Sequence, residues 1–214
     1  MKAIAIDTAT ERANVVLFEH GQCIGLRELT GGFMHARALV SAIEELVSDP
    51  KELGFVAVGV GPGSYTGIRV GVSCAKAISF ARNIPLVALN SLAAFCPSAD
   101  LEGTFLSAID ARSGGVYVMR GVVHAGTVSF TGDAEVVSFE RFVSEFTSVH
   151  YLVTPSFLPL KERLDDVGVV YSTQILERYP SSAMQIAQAE RAMAEKRSVL
   201  DGSVQICYLR GPVG

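Results

Sequence analysis

The sequence predicts an α/β protein of two tandem lobes, each a mixed sheet with flanking helices. Three observations predict it. Strand-like and helix-like apolar periods alternate along the chain, as layered α/β packing requires. The order three strands, helix, strand, helix occurs twice. Each occurrence opens with an apolar strand that runs into an aspartate, Asp7 in the first half and Asp110 in the second.

Residues 2–6 alternate weakly and turn polar at Asp7-Thr8-Ala9-Thr10. Residues 13–18 are rich in Val, residues 19–22 form a turn, and residues 23–29 return as a third strand. Gly31-Gly32 breaks the chain. Over residues 33–47 the period becomes helical. Met34, Ala38 and Ala42 form one i, i+4 row, and Leu39, Ile43, Leu46 and Val47 form a second. Asp49-Pro50 ends that helix. Residues 55–60 are a short apolar run, the pattern of a parallel strand buried on both faces. A loop at 61–65, a helix at 66–82, a strand at 86–89 and a short helix at 91–95 follow.

The second half reads as strands at 104–109, 115–123 and 127–130, a helix at 140–146, a strand at 151–153, and helices at 158–164 and 181–197. Residues 172–180 carry no periodic signal. Pro, Ser, Asp, Glu and Gly cluster at 98–103 and place the boundary there, giving lobes 1–102 and 103–214, the second shortened and divergent. Two such lobes in tandem make the actin/heat-shock/acetate-kinase (ASKHA) architecture. In that architecture the aspartate after the first strand of each lobe faces a cleft. The alternative is that Asp7 and Asp110 are turn or helix-cap residues.

Composition narrows the function. Of 214 residues, 49% are hydrophobic and 19% charged, with a net charge of −4. Average domains carry about 25% charge. A high apolar fraction with low net charge excludes a largely disordered chain. The absence of a basic stripe excludes a stand-alone nucleic-acid binder. No apolar run reaches the length of a membrane span, and the N-terminus lacks a signal-peptide pattern. Cys23, Cys74, Cys96 and Cys207 are scattered and form no C-x-x-C. A cytoplasmic protein is expected, with its thiols acting as small apolar side chains.

Five glycines, Gly59, Gly61, Gly63, Gly67 and Gly71, fall within thirteen residues. The segment follows a strand and opens a helix, so a phosphate cradle is the first idea. It lacks the Lys of a P-loop and the spacing of a dinucleotide fingerprint, and Pro62 removes a donor. Gly67, Gly71 and Ala75 form a flat i, i+4, i+8 stripe that would let another helix come close. Ile68, Val72 and Ile78 form a separate row. Both helices thus have two apolar or small faces. One covers the sheet; the other is covered by the neighbouring helix or by a partner.

The stretch Gly59-Val60-Gly61-Pro62-Gly63-Ser64-Tyr65-Thr66-Gly67-Ile68-Arg69-Val70-Gly71 resembles the glycine segment of the TsaB (YeaZ) family. Ile6-Asp7-Thr8-Ala9, His35 with Ala38-Leu39, and Asp110-Ala111-Arg112 resemble its other motifs, and residues 204–210 resemble its ending. The resemblance implies the ASKHA fold and a role in making threonylcarbamoyladenosine beside the anticodon of tRNAs that read ANN codons. It implies a non-catalytic subunit that supports a TsaD-like catalytic paralogue together with a TsaE-like ATPase, and that meets tRNA only through the complex. It places the partner surface on Met34, His35, Ala38, Ala42, Gly67, Arg69, Gly71 and Ala75, with self-association as a homodimer through the same helices. Asp7, Thr8, Asp110 and Arg112 would line a vestigial nucleotide cleft.

The catalytic paralogue carries an H-x-x-x-H metal pair. By the same resemblance its positions here hold Ser91 and Phe95, and Phe cannot ligate a metal. No resident metal or cofactor is expected, ATP and metal belonging to the partner subunits. Two other classes compete. An ASKHA-type small-molecule kinase or ATPase would use Asp7 and Asp110 for Mg-ATP, but the second half lacks a glycine-rich adenosine element. A metal-dependent peptidase lacks any pair of histidines at ligand spacing.

Overall fold

In the computed structural model, residues 1–30, 35–200 and 202–207 are described. β1 (Lys2–Asp7) lies between β2 (Arg12–Glu19), antiparallel to it, and β4 (Leu53–Gly59), parallel to it. β3 (Gln22–Thr30) extends the antiparallel side and β5 (Leu86–Leu89) the parallel side. With β12 (Ser198–Val199) the first sheet has the order β12-β5-β4-β1-β2-β3.

The apolar run of β1 is buried on both faces. Ile4 and Ile6 pack with Val15, Leu17, Val56 and Val58 beneath α1 (His35–Leu46) and α2 (Tyr65–Arg82). Ala3 and Ala5 face the other way, with Phe18, Phe55, Val87 and Leu89. Phe18 and Phe55 meet edge to face at 5.7 Å, an arrangement that contributes about 1 kcal/mol beyond burial. Ser64 caps α2 by accepting the Gly67 N–H, and Asn83 ends it in the left-handed conformation, just before Pro85.

The second sheet repeats the plan. β6 (Gly103–Asp110) pairs antiparallel with β7 (Val116–His124) and parallel with β10 (Tyr151–Thr154). β8 (Thr127–Phe130) and β11 (Gln174–Glu177) complete the order β11-β10-β6-β7-β8, and β9 (Glu135–Val137) pairs with β7. Beneath α3 (Phe139–Phe146) and α4 (Leu158–Asp166), Phe142, Phe146, Leu160 and Leu164 pack on Leu106, Ala108, Val118 and Leu152. Reading β3-β2-β1-β4-β5 beside β8-β7-β6-β10-β11 gives the same pairing scheme in both units, as the ASKHA reading requires.

The division of the chain differs from the expected 1–102 and 103–214. The first unit is Met1–Ala94 together with Tyr179–Cys207, and the second takes up Phe95–Arg178. The reason is α5 (Ser182–Ala194), whose Ile186, Ala189 and Ala192 cover the Ala3/Ala5 face of the first sheet. Without α5 that face would be bare. The strand expected at 204–210 is absent over 204–207, and 208–210 lie outside the described residues.

Candidate functional site

β1 delivers Asp7 to its carboxyl end. The side chain is buried, and its Oδ1 accepts the Ala9 N–H at 2.9 Å in a local turn. Its other oxygen, Oδ2, is buried without a hydrogen bond of good geometry. Burial pushes the carboxyl up to about 6, against the Ala9 N–H and the nearby Ser91 hydroxyl, which favour the charged form. Opposite Asp7 in the ladder stands Asn14. Asn14 exchanges two amide hydrogen bonds with Gln185 of α5, at 2.9 and 3.0 Å, and donates to the Pro180 carbonyl. Sequence reasoning missed this buried pair, because nothing local to either residue signals a contact 171 positions away.

Thr8 is not available to a ligand. Its hydroxyl donates to the Gly67 carbonyl at 2.7 Å. A Cβ at Gly67 would overlap the Thr8 carbonyl oxygen, and one at Gly71 would overlap Thr8 Oγ1. The stripe of Gly67, Gly71 and Ala75 therefore faces the protein's own first strand, and all three residues are buried. This corrects their assignment to a partner surface. Ala42 is corrected likewise, since it lies in the core beneath α1. Ala38 is half-buried, and Met34 and the side chain of His35 lie outside the described residues.

The outward face of α2 is turned away from that stripe. Arg69 is exposed and stacks over the Tyr65 ring at 3.8 Å. Between α1 and α2 runs an open, mostly apolar groove of about 530 Å³, lined by Leu39, Val40, Tyr65, Arg69, Val70 and Cys74 among others. Val40 and Tyr65 are about half exposed, at 49% and 54%, and further along α2 Phe80 is 87% exposed. Of the expected surface, Arg69 lines this groove. Val40, Tyr65 and Ser73 were missed, although the row 65/69/73 was readable as the face opposite 67/71/75.

In the second unit Asp110 repeats the local turn of Asp7, accepting the Arg112 N–H at 3.1 Å. There the likeness stops. Arg163 of α4 pairs with Asp110 at 2.6 Å, reaches the Gly115 carbonyl, and packs on the Phe139 ring at 4.1 Å. Arg112 has a left-handed backbone (φ 55°) and is exposed. Asp110 is thus paired with Arg163 within its own unit, and the Thr8 hydroxyl is committed to α2 within the other. Ser91 Oγ accepts the Gly61 N–H, and Phe95 is fully buried. Among the described residues no group of three or more His, Cys, Asp or Glu could hold a metal ion. No helix among them is long and apolar enough to cross a membrane.

This chain belongs to the family whose model is described as TsaD, tRNA N6-adenosine threonylcarbamoyltransferase, which matches residues 33–149, more than half of it. Within that family it is similar, at about 30% identity, to curated TsaB proteins. It is 30% identical over 145 residues to the tRNA threonylcarbamoyladenosine biosynthesis protein TsaB of Haemophilus influenzae, covering 63% of this chain and 61% of the relative. It is 30% identical over 124 residues to the TsaB of Escherichia coli, covering 55% and 53%. The chain thus spans between about half and three-fifths of the length of these curated relatives. A solved structure of YeaZ from Pseudomonas aeruginosa shares the fold, with a TM-score of 0.76, 20% identity, and coverage of 97% of this chain and 99% of that one.

Proposed function

We propose that the chain works in the synthesis of tRNA threonylcarbamoyladenosine as a non-catalytic subunit. It supports a TsaD-like catalytic paralogue, with a TsaE-like ATPase, and touches tRNA only within that complex. ATP and metal would be held by those partners, and a second copy of this chain would compete for the same surface.

The observation that carries the reading is the groove between α1 and α2. It is apolar, open and flanked by exposed Val40 and Tyr65. A helix pair left open along one side is suited to receive another helix pair. The names of the relatives support the pathway. The contrast between Asp7 and Asp110 supports the non-catalytic part, since only one of the two carboxylates is free of a cationic partner.

The test is association with a TsaD-like protein of the same organism, measured by gel filtration. Val40→Asp and Ser73→Glu place charge on the groove without touching the core. Pairing is expected to be lost while the melting temperature of the chain is unchanged. Pairing at wild-type strength in both variants would rule the groove out.

A further inference from the structure

We propose that residues 202–207 are a latch that holds the glycine loop and the first turns of α2 in place. The chain leaves β12 at the β5 edge of the first sheet and returns across the face that carries α2. A Cβ at Gly202 would meet the aliphatic carbons of Lys76, midway along α2, at 3.9 Å. Val204, Ile206 and Cys207 are partly buried against the cluster that contains Val60, Ile68 and Val72. At the far end the Cys207 N–H donates to the Val60 carbonyl at 2.8 Å. A Cβ at Gly61 would meet the Cys207 carbonyl oxygen at 3.0 Å and Ile68 at 2.9 Å, so the segment closes directly over the start of the loop.

The segment has no strand ladder, and its Ser203 and Gln205 are exposed. Apolar side chains and the bond to Val60 are among its contacts. A surface segment outside the sheet opens locally more readily than a strand within it. What lies beneath it is a loop with positive φ at Gly61 and Gly63 and the entry to α2. α2 forms one wall of the α1–α2 groove, so a released latch loosens that wall. The latch does not rest on the partner reading; its effect on pairing does.

Amide hydrogen exchange on the isolated chain tests it. The wild type is compared with a variant ending at Leu200 and with Ile206→Asp in the full chain. Both variants are expected to exchange about tenfold or more faster at residues 61–70, with residues 3–6 and 15–18 unchanged. Unchanged protection at 61–70 overturns the latch. So does an equal rise at all sites or failure of both variants to fold, which would make the segment plain core. Pairing with the TsaD-like protein is measured beside it. Pairing absent in the wild type, with the exchange pattern as expected, counts against the partner reading alone.

Discussion

Thr8 donates its hydroxyl to the Gly67 carbonyl at 2.7 Å, joining the end of β1 to the first turn of α2. The bond exists because two glycines on α2 let the helix settle against the strand. Small residues here serve the chain's own packing, and the exposed face of the helix is the opposite one.

Gly67→Ala is therefore expected to destabilise the isolated chain by about 2–3 kcal/mol, since the new methyl overlaps backbone that cannot yield. Gly71→Leu is expected to prevent soluble expression. Chemical denaturation of the first and the soluble fraction of the second check this. Wild-type stability in Gly67→Ala would mean that α2 sits farther from β1.

Asp7 makes stability pH-dependent. In the folded chain burial raises its carboxyl from the ordinary 3.8 to about 6. Between those two pH values the folded state keeps a proton that the unfolded state has lost, so stability falls as pH rises through the window and is flat above it. The full penalty is about 3 kcal/mol. Asp7→Asn keeps an acceptor for the Ala9 N–H and removes the charge. It is expected to raise stability at pH 7 and to flatten the profile between pH 4 and 6.5. Urea melts across that range decide it, and a wild-type slope in the variant would contradict the assignment.

Arg163→Ala leaves the half-buried Asp110 carboxylate without its cation and strips a contact from Phe139. A loss of about 1–3 kcal/mol is expected. The part due to the bare carboxylate should disappear when Asp110→Asn is added, and a double-mutant cycle measures that coupling.

A fragment ending at residue 102 is expected not to fold. It lacks α5, and Ala3, Ala5, Phe18 and Phe55 would face water. Circular dichroism and aggregation of that fragment test the division of the chain, and a cooperative thermal transition would restore the boundary at 102.

Much of the fold is legible locally. The run at 55–60, the break at Asn83-Ile84-Pro85 and the turn at residues 124–126 place β4, the end of α2 and the β7–β8 hairpin within a residue or two. β9 and β12, of three and two residues, are too short for a period to register, and β11 has a single buried residue among partly or fully exposed neighbours. Their existence comes from neighbours in the sheet. The groove was half legible. The helices and their two-faced pattern stand in the sequence, but the rows it offered on α2 were 67/71/75 and 68/72/78, and not the row 65/69/73 that lines the groove.

By itself the sequence determined the repeated α/β order, the aspartate that ends the first strand of each half, and the family, since each rests on residues adjacent in the chain. The tertiary structure decided which face of α2 turns inward, which aspartate gains an arginine, and to which sheet the last helix returns. Those outcomes depend on contacts between distant residues: Thr8 with Gly67, Asp110 with Arg163, and Asn14 with Gln185. Periodicity cannot choose among equally apolar faces; close contact between particular atoms can.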